Sequence, residues 1–107
     1  MAQRSVMYAI ARINSFDESR LEAAAPRMRS FEKLHAAQPG YRGSLVIDLK
    51  DGRRLLVNLW ESEQHAFAAL SVVGDDVEQV LMPLMSSPSQ LLGAGPVVST
   101  DLVHPAP

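Results

Sequence analysis

The sequence predicts a ferredoxin-like α+β sandwich: four antiparallel strands in the order β-α-β-β-α-β, with the helices on one face of the sheet. Three observations carry that expectation. The triplet Lys50-Asp51-Gly52 separates two runs of Leu, Ile and Val, and an Asp-Gly pair in that setting is a strong short-range hairpin signal. On either side of this hairpin a stretch of helical periodicity is paired with a strand-like stretch, which completes the six-element order. Finally, the hairpin strands are apolar on both faces. Leu55, Val57 and Leu59 share one face and Leu56, Asn58 and Trp60 the other, while Leu45, Ile47 and Leu49 oppose Val46. Such strands belong to a sheet covered on both sides, and the helices suffice for one. A homodimer joined through the open sheet face is the simplest cover.

The elements follow in order. Residues 5–13 are rich in Val, Ile and Tyr and read as a first strand, with Tyr8, Ile10 and Arg12 on one face. Ser15 and Glu18 have capping-box spacing, so a helix is expected from Phe16 or Asp17. Leu21, Ala24, Met28, Phe31 and Leu34 form its apolar stripe; Pro26 should kink or divide it, and Pro39-Gly40 ends it. The hairpin strands are expected at residues 41–49 and 53–61. Ser62 caps a helix over residues 62–73 with Phe67, Leu70 and Val73 on a stripe that Ala66 and Ala69 widen, interrupted at Gly74. Asp75 and Glu78 open a further helical segment carrying Val77, Val80, Leu81, Leu84 and Met85, which Pro83 helps to end. Residues 86–89 and 93–96 read as loops, residues 96–103 as the last strand, and His104 begins a tail.

The bulk properties bound the function. A chain of 107 residues, 47% apolar and 21% charged, makes one domain over residues 1–107 with a core at about 5–103. The net charge of −2 and the lack of a basic stripe argue against nucleic acid or an anionic membrane as partner. There is no cysteine, hence no disulfide, thiolate nucleophile or Cys-based metal site. The N-terminus reads as a strand and not as a signal peptide, and no apolar stretch approaches membrane-spanning length, so a cytoplasmic protein is expected. Carboxylates at 61–63 and 75–76 sit at expected helix starts, and no His-x3-His or Glu-x-x-His pattern occurs. Neither a metal nor another cofactor is expected. His35 reads as a solvated or helix-C-terminal histidine and His65 as an exposed first-turn residue.

The motif Pro39-Gly40-Tyr41-x-Gly43, the hairpin, and Leu59-Trp60-Glu61-Ser62-Glu63 with Ala66 resemble the antibiotic biosynthesis monooxygenase family over most of the domain. The resemblance implies a dimeric α+β barrel, with an apolar cavity in each subunit between its own sheet and helices. It also implies a cofactor-independent monooxygenase acting on an aromatic, phenol-, anthrone- or quinol-like substrate. Asn58 and Trp60 match the family's polar pair in an otherwise apolar pocket, and are the expected catalytic residues. In such a pocket an amide hydrogen of Asn58 and the indole N–H of Trp60 can stabilise a developing oxyanion or peroxide. Tyr8 and Arg12 are expected to help hold the substrate, with Met28, Phe31, Leu70, Leu81 and Met85 as walls.

Two alternatives remain beside this reading. Trp60 can be a packing residue, and Asn58 can bond to backbone, in a non-catalytic homodimer that binds a small apolar molecule or acts as a scaffold. A haem-binding or haem-degrading protein is the third. It is disfavoured because Leu70 stands where that branch of the family is expected to carry a helix histidine, and His65 comes one turn too early.

Overall fold

The computed structural model describes residues 7–101. Strand β1 (Tyr8–Phe16) leads through helices α1 (Glu18–Ala23) and α2 (Ala25–Ala36) to the hairpin β2 (Tyr41–Asp48) and β3 (Arg53–Trp60). Helix α3 (Glu63–Asp76) continues into a π-helical turn at Val77–Leu81 and a 3-10 turn at Met82–Leu84, and β4 (Met85–Pro96) closes the sheet. The strand order is β2-β3-β1-β4, with every neighbouring pair antiparallel. This is the ferredoxin-like topology.

Local signals explain most of the helical layer. Pro26 divides the first helical stretch: the chain breaks at Ala24, and proline falls in the first turn of α2, where an amide hydrogen would have no acceptor. The cap of α1 is Asp17, not the expected Ser15. The Asp17 carboxylate accepts from the Ser19 and Arg20 backbone N–H groups at 3.1 and 3.3 Å. Ser15 instead remains in β1, because β3 and β4 pair with it on both sides. The hairpin turns as expected, with positive φ at both Asp51 and Gly52.

Three expectations are corrected. On α3, Val73 is buried as expected together with Ala66 and Ala69, but Phe67 and Leu70 are each 52% exposed, so the buried stripe is the alanine side of the apolar face. The small alanines let the helix lie close over Trp60, which takes the space a larger side chain would need. Gly74 does not interrupt this helix, which runs on to Asp76; Asp75 caps nothing. The last strand lies at Met85–Pro96, not at 96–103, and Val98 is 96% exposed outside it. Pro88 fits because β4 is an edge strand, and the residue falls in an irregular stretch of register between the pairs Ser87–Ser15 and Gln90–Ile13. Residues 5 and 6 of the expected first strand, residues 102 and 103 of the expected last one, and His104 lie outside the described residues.

The sheet has two unlike faces. Tyr8, Ile10, Phe16 and Trp60 point toward the helices and pack in two separate apolar clusters. Leu45, Ile47, Leu55, Val57 and Leu59 share the opposite face with Ala9, Ala11 and Ile13. Leu45 and Ile47 are each 45% exposed there.

Candidate functional site

The helix-facing side of the sheet is apolar at both ends and polar between them. At one end Trp60, 2% exposed, packs with Ala66, Ala69, Tyr8, Ile10 and Tyr41. At the other, Phe16, Ala24, Leu81 and Leu84 form a second cluster, against which Leu21, Met28, Phe31, Val77 and Met85 pack. The side chains between them on β1 and β3 include Arg12, Asn14, Leu56 and Asn58. Strand alternation produces this band: every second residue of β1 from Tyr8 to Phe16 and of β3 from Arg54 to Trp60 faces the helices.

Asn58 sits in the sheet interior, paired with Ile10 on β1 and Ser44 on β2. Beside it the Tyr41 hydroxyl donates to Ser44 Oγ at 3.1 Å. Neither the Asn58 amide nor the Trp60 indole N–H has a hydrogen-bond partner among the described residues, and no sealed-in side-chain N or O there lacks one. Both groups therefore border space that water or a ligand can enter. Arg12 lies diagonally across from Asn58, about 7–8 Å away by the spacing of antiparallel strands, and donates to Ser89 Oγ at 3.4 Å. Ser89 in turn donates to Asn14 Oδ1 at 2.5 Å, and Asn14 is buried.

No family model and no curated protein matches the sequence. Solved structures do match the fold. A candidate antibiotic biosynthesis monooxygenase of Nitrosomonas europaea superposes with a TM-score of 0.69 at 15% identity, over 86% of this chain and 91% of that one. The chain has the fold of the antibiotic biosynthesis monooxygenases. An asparagine-to-alanine mutant of SnoaB, a cofactor-independent oxygenase of Streptomyces nogalater, matches with a TM-score of 0.66 at 18% identity, covering 89% and 96% of the two chains. A dimeric ferredoxin-like protein from an uncultured marine organism matches at 0.67 and 14% identity, over 92% and 94%. Another matched structure, from Nitrosomonas europaea, is of a protein of unknown function.

Within this monooxygenase-like fold the expected site residues are brought together only in part. Tyr8, Arg12, Asn58 and Trp60 share the helix-facing sheet side. Met28, Phe31, Leu81 and Met85 belong to the apolar cluster that bounds the polar band at one end. Leu70 does not wall this space; it points outward on α3, since the helix turns its alanines inward. The expected apolar cavity around Asn58 and Trp60 coincides with neither of two well-formed concavities on the helical side. One, of about 440 Å³, lies between α1, α2 and Arg54 and carries Glu18, Glu22 and Glu32 on its lining. The other, of about 160 Å³, lies among Phe31, Leu34, Asp76 and Val80.

Two histidines also depart from expectation. His65 Nδ1 is 2.7 Å from Ser62 Oγ, and its ring packs on Gly40, where a Cβ would come within 2.6 Å of it. It is spent on the start of α3 and lends the haem alternative no support. His35 does lie in the last turn of α2, but it is half-buried rather than solvated. Its ring stacks 6.1 Å from Phe31 and meets Tyr41 and Trp60 edge-on at 5.5 and 5.2 Å. The signal for this was present, because His35 follows Phe31 by four residues and so lies on the same helical stripe. Ser89 and Asn14 were missed because each lies in a strand whose bounds were misjudged.

Burial lowers the His35 pKa from its ordinary 6.5, because the aromatic surroundings disfavour the imidazolium. The folded chain thus binds this proton less readily than the unfolded one. The stabilisation is present above pH 6.5 and is lost as pH falls through 6.5 and the lowered folded value. Urea unfolding at pH 7 and pH 5 is expected to show a larger stability loss for the wild type than for His35→Phe, which keeps a ring there. Asp17 does not confuse the comparison, since its carboxyl, held below the ordinary 3.8 by the Ser19 hydroxyl and the Arg20 N–H, titrates well under pH 5 in the folded chain and is kept in both proteins. Equal losses in both proteins would contradict this account of His35.

Proposed function

We propose that this chain is a small cofactor-independent oxygenase acting on a phenol-, anthrone- or hydroquinone-like substrate as a homodimer. The observation that carries the reading is the Asn58 amide, which stands without a hydrogen-bond partner among the described residues on the helix-facing side, beside Trp60. The amide is half-buried, unspent within the chain and reachable from solvent, so it is free to bond a ligand. The shared fold with SnoaB, a cofactor-independent oxygenase, supports the same reading.

The chemistry asks little of the protein. A phenol whose ring C–H becomes a carbonyl gives up four electrons; one atom of O2 becomes the carbonyl oxygen, and the other leaves as water with the two hydrogens. No external reductant is needed. The substrate loses its phenolic proton first, and Asn58 donates an amide hydrogen to the resulting oxyanion or to the peroxide that follows. Trp60 serves as the second donor. The open sheet face supports the dimer: Leu45 and Ile47, with the half-buried Leu55, Val57 and Leu59, present an apolar surface that no helix among the described residues covers, and one matched protein of this fold is dimeric.

Oxygen uptake with a panel of phenols, anthrones and hydroquinones, without added metal or flavin, tests the reading. Wild-type uptake should exceed background, and Asn58→Ala should lower kcat by about 10²–10³-fold, the usual effect of removing one oxyanion donor. Uptake unaffected by Asn58→Ala would remove the proposed site. A second reading, a non-catalytic homodimer binding an apolar molecule, is favoured by the near-complete burial of Trp60 among side chains of this chain. No uptake across the panel would favour it.

A further inference from the structure

The polar band contains a cation that nothing in its surroundings requires. Arg12 lies in the middle of β1, an interior strand of the sheet, and faces the helices. Its cross-strand neighbours on that side are Leu56 on β3 and Leu91 on β4. The ion pairs among the described residues are Arg20–Asp17 and Arg42–Glu61, so Arg12 has no carboxylate. A guanidinium carries five N–H donors in a planar fork, and this one uses a single long bond, 3.4 Å to Ser89 Oγ. Leu91 is 54% exposed and Arg12 half-buried, so the guanidinium keeps its spare donors where an anion from solvent can reach them.

Ser89 shows how the group is aimed. Its hydroxyl has one hydrogen and gives it to Asn14 Oδ1. The lone pairs of Ser89 therefore point toward Arg12, and the buried Asn14 fixes the serine rotamer. Arg54 shares the sheet face but is not equivalent. Its guanidinium lies 5.7 Å from the Phe16 ring centroid and lines the groove that also carries Glu18, Glu22 and Glu32.

We propose that Arg12, positioned by the Ser89–Asn14 pair, anchors a carboxylate on the aromatic substrate. This rests on the site proposed above and names its substrate class: an aromatic acid, with the ring toward Asn58 and the carboxylate on Arg12. A carboxylate presents two oxygens to the planar fork and forms a bidentate, charge-assisted pair, which a phenolate oxygen alone does not. The spacing fits a fused-ring acid, because Arg12 and Asn58 are diagonal neighbours about 7–8 Å apart at the backbone. In this arrangement Arg12 selects the substrate and Asn58 serves the reaction.

Binding separates the two roles. Trp60 is the chain's one tryptophan, so its fluorescence reports on this part of the molecule. Titrations with 1-hydroxy-2-naphthoate and with 1-naphthol, confirmed by calorimetry, compare ligands that differ by the carboxylate. The wild type should bind the acid about 10- to 100-fold more tightly, the usual range for a charge-assisted pair. Arg12→Gln should abolish that preference, weakening acid binding far more than naphthol binding. Arg12→Lys should restore part of it, and Ser89→Ala should weaken acid binding by less than Arg12→Gln does.

Equal affinity for the two ligands in the wild type, a preference that survives Arg12→Gln, or binding of neither ligand by folded protein would each overturn the inference. Acid binding through Arg12 without oxygen uptake would leave it standing and remove the oxygenase reading. Asn58-dependent oxygen uptake in a wild type that shows no preference for the acid over the neutral phenol would do the reverse.

Discussion

Trp60→Ala is expected to lower stability by about 3–5 kcal/mol, the range for removing a large buried aromatic side chain. The indole is the largest fully buried side chain among the described residues. It links elements far apart in the chain: His35 of α2 and Tyr41 of β2 meet it edge-on, while Ala66 and Ala69 of α3 lie against it. None of these can fill the void. The alanines are too short, and His35 and Tyr41 are already held by their contacts with each other. A marginally stable domain of this size can lose most of its folding free energy to such a change.

Trp60→Phe tells packing from chemistry. Phenylalanine keeps a ring in the cluster and removes the N–H, so its cost in stability should be well below that of alanine. If the indole N–H serves the proposed oxygenase, kcat falls in Trp60→Phe while the unfolding midpoint changes little. If Trp60 only packs, uptake follows stability in both variants. Denaturant unfolding and oxygen uptake on the same preparations read both quantities.

Gly52→Ala is the second large expected effect, on the order of 3 kcal/mol or more. Gly52 has a φ of +79°, and a Cβ there would lie 2.2 Å from the Phe16 carbonyl oxygen. That oxygen cannot move freely. Phe16 donates its own N–H to the Gly52 carbonyl at 2.8 Å, its side chain is buried in the core, and Asp17, the next residue, caps α1. The hairpin turn is thus locked to the end of β1, and both strain and overlap act at one position. Asp51→Gly is the control. Asp51 also has a positive φ, 59°, yet its side chain is exposed, so its removal should change stability by less than about 1 kcal/mol. Similar losses in the two variants would contradict the role given to the Phe16 contact.

These residues also show what was legible in the sequence. Asp51-Gly52 announced its hairpin, Pro26 its division of the helix, and the alternation around Val57 its two-faced sheet. Each signal is local: a φ requirement, a missing donor, or the two-residue period of a strand. The placement of Asn58 beside Trp60 on one sheet face followed from that same period.

What the sequence did not determine depended on partners distant in the chain. Residues 86–96 carry Ser, Pro and Gly and look like loop, yet they form β4 because the free edge of β1 supplies hydrogen bonds along their length. The inward face of α3 could not be chosen by periodicity alone, since alanine and phenylalanine stripes were both available. Close approach to Trp60 decided for the alanines. His35 entered the aromatic cluster, and Arg12 was left between two leucines without a carboxylate, only when the strand register was set. The chain by itself determined its turns, its helix breaks and the two faces of its hairpin, whose causes lie within a few residues. Tertiary structure decided the last strand, the buried side of α3 and the polar band, because hydrogen-bond register and close packing are properties of pairs that the sequence holds far apart.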